Sequence, residues 1–176
     1  MKELISPYNP HWVTDFRLIK SLLLEKLMEI PLTIEHVGST AVPGLRAKPI
    51  IDVDLAYKNS KDFARIKKRL EQIGYYHNGD QGIPGREAFI RPDKSSTDTL
   101  DTIPHHLYVC REDNAEFRRH ISFRNYLSKN EWARSEYQDL KMKIARKAAQ
   151  NHSKYAELKE IEARTFVERV LQGCEE

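Results

Sequence analysis

The segment IEHVGSTAVPGLRAKPIIDVDLAY, residues 34–57, decides how this chain is read. In its second half Ile51, Val53 and Leu55 fall on one face of a strand running from Ile50 to Tyr57, and Asp52 and Asp54 fall on the other. Upstream, Thr33 to Val37 is apolar enough for a short strand that breaks at Gly38. Residues 38–49 carry Gly38, Pro43, Gly44 and Pro49, a pattern that fits an ordered loop, with or without one helical turn.

Two carboxylates at i and i+2 of a strand lie about 7 Å apart at their Cα atoms, a spacing that can bracket a divalent cation. Like charges at that distance need a reason, and phosphoryl transfer supplies one: Mg²⁺ or Mn²⁺ held by carboxylates orients a triphosphate and neutralises its developing charge. The Gly-Ser-Thr turn suits the same chemistry. Gly38 permits close backbone approach, and the Ser39 and Thr40 hydroxyls can bond phosphate oxygens, with Arg46 and Lys48 adding positive charge. Each element alone is also an ordinary turn or an exposed strand face; only their conjunction points to a site.

Outward from this segment, Asn9 and Pro10 read as the cap and first turn of a helix carrying Phe16, Ile19, Leu23, Leu27 and Ile30 at helical spacing up to Pro31. Ser60 reads as the cap of a second helix with Phe63, Ile66, Leu70 and Ile73 as its buried stripe and Gly74 as its stop. Weaker strands are predicted at Tyr75–His77, Glu87–Arg91 and His106–Cys110, with the polar stretch RPDKSSTDTLDTIP, residues 91–104, as a mobile loop. After Arg111 the pattern is helical: one helix to about Ser128, a second capped by Asn130 through Trp132, Tyr137, Leu140 and Ile144, and a third from Tyr155 through Leu158, Ile161, Val167 to Val170. Trp132, Tyr137 and Tyr155 are read as core, and Lys141, Lys143, Arg146 and Lys147 as a solvated face, with phosphate contact by that cluster as the minor alternative.

The 176 residues suit one domain, 1–176, with a helix-and-sheet part at 1–110 holding the site and a helical part at 111–176. With 31% charged and 40% hydrophobic residues, and 29 basic against 26 acidic side chains, the balance gives no argument for nucleic acid. Two distant cysteines, Cys110 and Cys174, fit no metal-binding spacing and suggest a reducing compartment. No apolar run approaches a membrane span, so a cytoplasmic location is expected.

The stretch HVGSTAVPGLRAKPIIDVDL, residues 36–55, resembles the signature of the GrpB family, which is related to the nucleotidyltransferase superfamily. SPYNPHW at the start, Gly74-Tyr75, HHLYV at 105–109 and FRNYL at 123–127 extend the resemblance over nearly the whole chain. It implies an α+β fold, a nucleotidyltransferase-like small mixed sheet with packed helices, a Gly-Ser loop at Gly38 and Ser39, and a metal-binding pair at Asp52 and Asp54. The superfamily's third carboxylate would fall on HHLYV, where no acid stands; His106 is a candidate ligand or phosphate partner there, and Glu87 or Asp101 a candidate substitute.

The expected activity is metal-dependent transfer of a nucleotidyl or phosphoryl group from a nucleoside triphosphate to an unknown acceptor. The alternative is a catalytically reduced protein that binds a nucleotide or another phosphorylated ligand. Catalysis would rest on Asp52, Asp54 and His106, and ligand binding on Gly38, Ser39, Thr40, Lys48 and Arg86, with Arg91, His36 and Arg124 as further candidates. Both aspartates are expected to face a solvent-accessible pocket with Ser39 and His106, so neutralising both should not destabilise the metal-free fold.

Overall fold

The computed structural model describes residues 3–92 and 98–174. Helix α1 (His11–Lys26) opens the fold, and the Asn9 side chain caps its first turn by accepting from the His11 amide. Strands β1 (Leu32–Val37) and β2 (Ile51–Tyr57) pair antiparallel, and the loop between them carries a 3₁₀ turn at Ser39–Ala41. Helix α2 (Asp62–Gln72), β3 (Tyr76–His77), β4 (Arg86–Ile90), the short α3 (Thr99–Thr102) and β5 (His105–Arg111) follow. The chain then turns helical as α4 (Ala115–Lys129), α5 (Glu131–Lys147), α6 (His152–Glu162) and α7 (Arg164–Gln172).

The five strands form one mixed sheet in the order β1-β2-β5-β4-β3, in which β2 and β5 are parallel and the other neighbours antiparallel. The expected α+β arrangement with a C-terminal helical part is what the chain adopts. Alternation along β2 sends Ile51, Val53, Leu55 and Tyr57 into a core with Ile19 and Leu23 of α1, Ile66 and Leu70 of α2, and Leu107 and Val109 of β5. The opposite sheet face carries Asp52, Asp54 and Ala56, and Phe117 of α4 covers its far end against Ala56 and Cys110. Burying these apolar side chains, at about 1.5–3 kcal/mol each, is what fixes the strand register.

Several local expectations shift. Ser60 does not cap α2; the Asn59 side chain, one residue earlier, accepts from the Lys61 amide. Asn130 stands at the start of α5, but its side chain donates back to the Tyr126 carbonyl. The third tail helix is two helices broken at the buried Ala163, because its halves serve different neighbours: Tyr155 packs with Ile144 of α5, and Phe166 and Val170 pack with Leu127 of α4. Trp132 is exposed, whereas Tyr137 and Tyr155 are core. Of the predicted mobile loop, 93–97 lie outside the described residues, and Asp98 caps α3 by accepting from the Leu100 amide.

Candidate functional site

The loop after β1 is shaped by contact with β2. Val37 pairs with Asp52 across the ladder, so Gly38 emerges directly beside that carboxylate. Gly38 has φ +72° and ψ −171°, and a Cβ there would stand 2.2 Å from Asp52 Oδ2. Glycine is therefore required twice, by backbone conformation and by the lack of room. Ser39 follows at the start of the 3₁₀ turn, its Oγ 3.0 Å from Lys141 Nζ of α5. Thr40 is buried, its hydroxyl 3.0 Å from His36 Nε2 and 3.4 Å from the Ile50 carbonyl it donates to. That hydroxyl is committed to holding the loop, not open to a ligand.

The two aspartates have different surroundings. Asp52, with 34% of its side chain exposed, takes a hydrogen bond from His106 Nδ1 at 3.0 Å, and His106 is its direct neighbour across the parallel β2–β5 ladder. Burial raises the Asp52 pKa, but the bond and charge of His106, with Lys159 and His120, outweigh it and hold the carboxyl below its ordinary value. Asp54 is fully buried, contrary to the expectation of a solvent-accessible carboxylate. Its Oδ2 meets His120 Nδ1 of α4 at 2.7 Å and its Oδ1 meets Arg86 Nη2 of β4 at 3.4 Å. Alternation put Asp54 on the predicted face, but α4 lies over it and brings the imidazole down onto it.

Arg86, expected to receive phosphate, is itself buried; it stacks on the Tyr108 ring at 3.4 Å as well as pairing with Asp54. Glu35, opposite Asp54 on β1 and on the same face, is held by Arg124 Nη1 at 2.6 Å. Arg124 is thus an ion-pair residue that also donates to the His36 carbonyl. With Asp54 occupied on both oxygens by cationic or protonatable partners, and Glu35 neutralised, the donor set does not fit a pair of divalent ions. Among the described residues no group of three His, Cys, Asp or Glu side chains is placed to hold a metal.

What the fold does build is a cleft of about 930 Å³ bounded by the Gly38–Thr40 turn, Asp52, His106, Tyr108, α4 and α6. Lysines and arginines outnumber the carboxylates Asp52, Glu116 and Glu160 along its wall. Among the described residues, Lys48, Lys141 and Lys159 each line it without a carboxylate within salt-bridge distance. Lys48 lies 4.6 Å over the Tyr155 ring and donates to the His152 carbonyl. Burial, then the charge of Lys159, lowers its pKa. Lys141 is 1% exposed, bonded to Ser39 and to the Arg46 carbonyl, not part of a solvated face.

Gly38, Ser39, Thr40, Lys48, Asp52, Arg86 and His106 all line the cleft, while Asp54 lies beneath its floor. His36 points to the other sheet face, stacked at 4.7 Å on Phe16 of α1, where burial lowers its pKa to about 4. Arg46 turns to Glu3 at 3.1 Å. Arg91 is held by Asp98 and Asp101, and Glu87 by His77 at 2.6 Å; all of these lie away from the cleft, so neither acid supplies a third carboxylate. Sequence reasoning missed His120 and Lys159 as wall residues and reached Lys141 only as one of a basic cluster given phosphate contact as its minor alternative. A signal existed for Lys141: it falls four after Tyr137 and three before Ile144, on the apolar stripe of α5.

The GrpB protein family model matches residues 4–172. The glutamate-rich protein GrpB of Alkalihalophilus pseudofirmus is 34% identical over 93% of this chain and 91% of its own length. A crystal structure of the conserved protein GrpB from Enterococcus faecalis superposes with a TM-score of 0.79 at 31% identity, covering 98% of this chain and 99% of that one. The Cid1 poly(U) polymerase overlaps at a TM-score of 0.49 and 8% identity, over 78% of this chain and 45% of that one, too slight a likeness to bear on activity. Matched in sequence and in fold along almost its entire length, the chain belongs to the GrpB family.

Proposed function

We propose that the cleft binds a phosphate-bearing ligand of nucleotide size and that it does so without a metal pair on Asp52 and Asp54. The observation that carries this reading is the pair of lysines at positions 48 and 159, brought to one wall from the loop and α6 with no carboxylate among the described residues within salt-bridge distance of either. Uncompensated ammonium groups in a concave, partly desolvated site attract polyanions more strongly than the same groups in water. A volume near 930 Å³ is ample for a nucleoside triphosphate. Of the two activities weighed from the sequence, this supports the phosphate-ligand-binding protein over two-metal nucleotidyl transfer, because Asp54 is spent on Arg86 and His120.

The test is calorimetry against nucleoside mono-, di- and triphosphates and inorganic tripolyphosphate, each with and without Mg²⁺. Affinity should rise with phosphate number, and Lys48→Ala should weaken it about 10- to 100-fold, as expected for one lost charge-assisted hydrogen bond. Unchanged affinity in Lys48→Ala, or no response to any phosphate compound, refutes the reading. Pyrophosphate release that depends on Mg²⁺ and is abolished by Asp54→Asn would restore the two-metal transferase.

A further inference from the structure

We propose that Ser39 is a nucleophile toward phosphorus in this cleft and that the amine of Lys141 is the base that takes its proton. Lys141 Nζ lies 3.0 Å from Ser39 Oγ, both side chains line the cleft, and Ser39 is half-buried at the start of the turn that Gly38 sets. Both hydrogen-bond partners of Nζ, the Ser39 hydroxyl and the Arg46 carbonyl, are uncharged, and its other near neighbour is the face of the Tyr137 ring at 4.9 Å. An ammonium ion so placed has no carboxylate among the described residues within salt-bridge distance; a neutral amine needs none. It donates one N–H to the carbonyl and turns its lone pair to the serine O–H.

Burial, with the positive charge of Lys159 acting in the same direction, holds the Lys141 pKa well below the ordinary lysine value. A serine hydroxyl is a poor nucleophile until a base within hydrogen-bond reach removes its proton, and a desolvated lysine is one such base. Nothing in the phosphate-binding reading uses a neutral lysine; a lysine kept only to attract phosphate would sit where it stays charged.

In the step itself, Ser39 Oγ attacks a phosphorus of a phosphoanhydride, the Oγ–P bond forms and the bridging P–O bond breaks. The hydroxyl proton passes to Lys141 Nζ, and the leaving phosphate or pyrophosphate departs with the bond's electron pair. The natural co-reactant in this scheme rests on the phosphate-ligand reading above, so the experiment uses a probe independent of it.

Full-length protein is incubated with a fluorophosphonate, on which the same attack forms Oγ–P and expels fluoride, and the modified residue is located by peptide mass spectrometry. Native protein should be labelled at Ser39, and urea-unfolded protein should not. Labelling should slow by about 100-fold or more in Lys141→Met and in Lys141→Arg, whose guanidinium stays protonated and cannot act as base. Native protein that fails to label at Ser39 overturns the proposal even if neither variant folds, as does equal labelling in Lys141→Arg and the parent. The two readings separate cleanly: nucleotide binding without Ser39 labelling removes the nucleophile and leaves the binding reading, whereas labelling that no phosphate compound slows does the reverse.

Discussion

Replacing Gly38 by alanine tests the contact on which the cleft is built. Its φ of +72° with ψ near 180° belongs to a region essentially reserved for glycine, and placing a side chain there costs about 1–3 kcal/mol. The added Cβ would also meet Asp52 Oδ2 at 2.2 Å, Cγ at 3.0 Å and Cβ at 3.1 Å, so the carboxylate must swing away and release His106, losing about 1 kcal/mol more. Gly38→Ala should therefore destabilise the fold by about 2–4 kcal/mol, or roughly 5–15 °C in Tm for a chain of this length. Urea unfolding followed by circular dichroism measures the loss. In an Asp52→Ala background the same change should cost at least about 1 kcal/mol less, because the oxygen and Cγ it strikes are gone. A loss under about 0.5 kcal/mol, or an equal loss in both backgrounds, would refute this reasoning.

Asp54→Asn removes the carboxylate charge paired with the buried Arg86 guanidinium and should destabilise the protein by about 3 kcal/mol in denaturant titrations; a neutral result would mean the pair is not what holds the floor. His36, held neutral with a pKa near 4 against 6.5 when unfolded, contributes stability that is whole above pH 6.5 and shrinks as pH falls toward 4, by about 3 kcal/mol in all. His36→Gln should flatten that part of the profile, and parallel curves for parent and variant would contradict it. Mg²⁺ and Mn²⁺ should shift the Tm of the parent and of Asp52→Asn alike; stabilisation of the parent alone would put a cation back on Asp52.

The helices α1 and α2 and the alternation of β2 could be read directly, because a periodic apolar stripe such as Phe63, Ile66, Leu70 and Ile73 has one way to reach a core. The same rule put Asp52 and Asp54 on one face and brought His106 beside the first. It could not say what lies over that face. Asp54 is covered by His120, 66 residues downstream, and nothing in the local pattern of either segment announces the meeting. The expectation that both aspartates face a solvent-accessible pocket fails at Asp54 for this reason, and neutralising Asp54 should therefore cost stability. Lys141 was hidden differently: its charged neighbours Lys143, Arg146 and Lys147 make α5 look solvated, although only Lys141 lies on the apolar stripe. The break at Ala163 follows from two packing partners, a tertiary fact that helix propensity does not contain.

The parallel pairing of β2 with β5 joins residues 54 positions apart, Asp52 and His106 among them, and α2, β3 and β4 intervene in the chain. Closing so long a loop costs entropy before any contact repays it, so this central ladder should form late in folding, after α1 and the local β1–β2 hairpin. No partly folded species that lacks the ladder can hold His106 against Asp52. The amides of β2 should accordingly exchange with solvent only through global opening, and the appearance of ligand affinity during refolding should coincide with the final cooperative phase, not precede it.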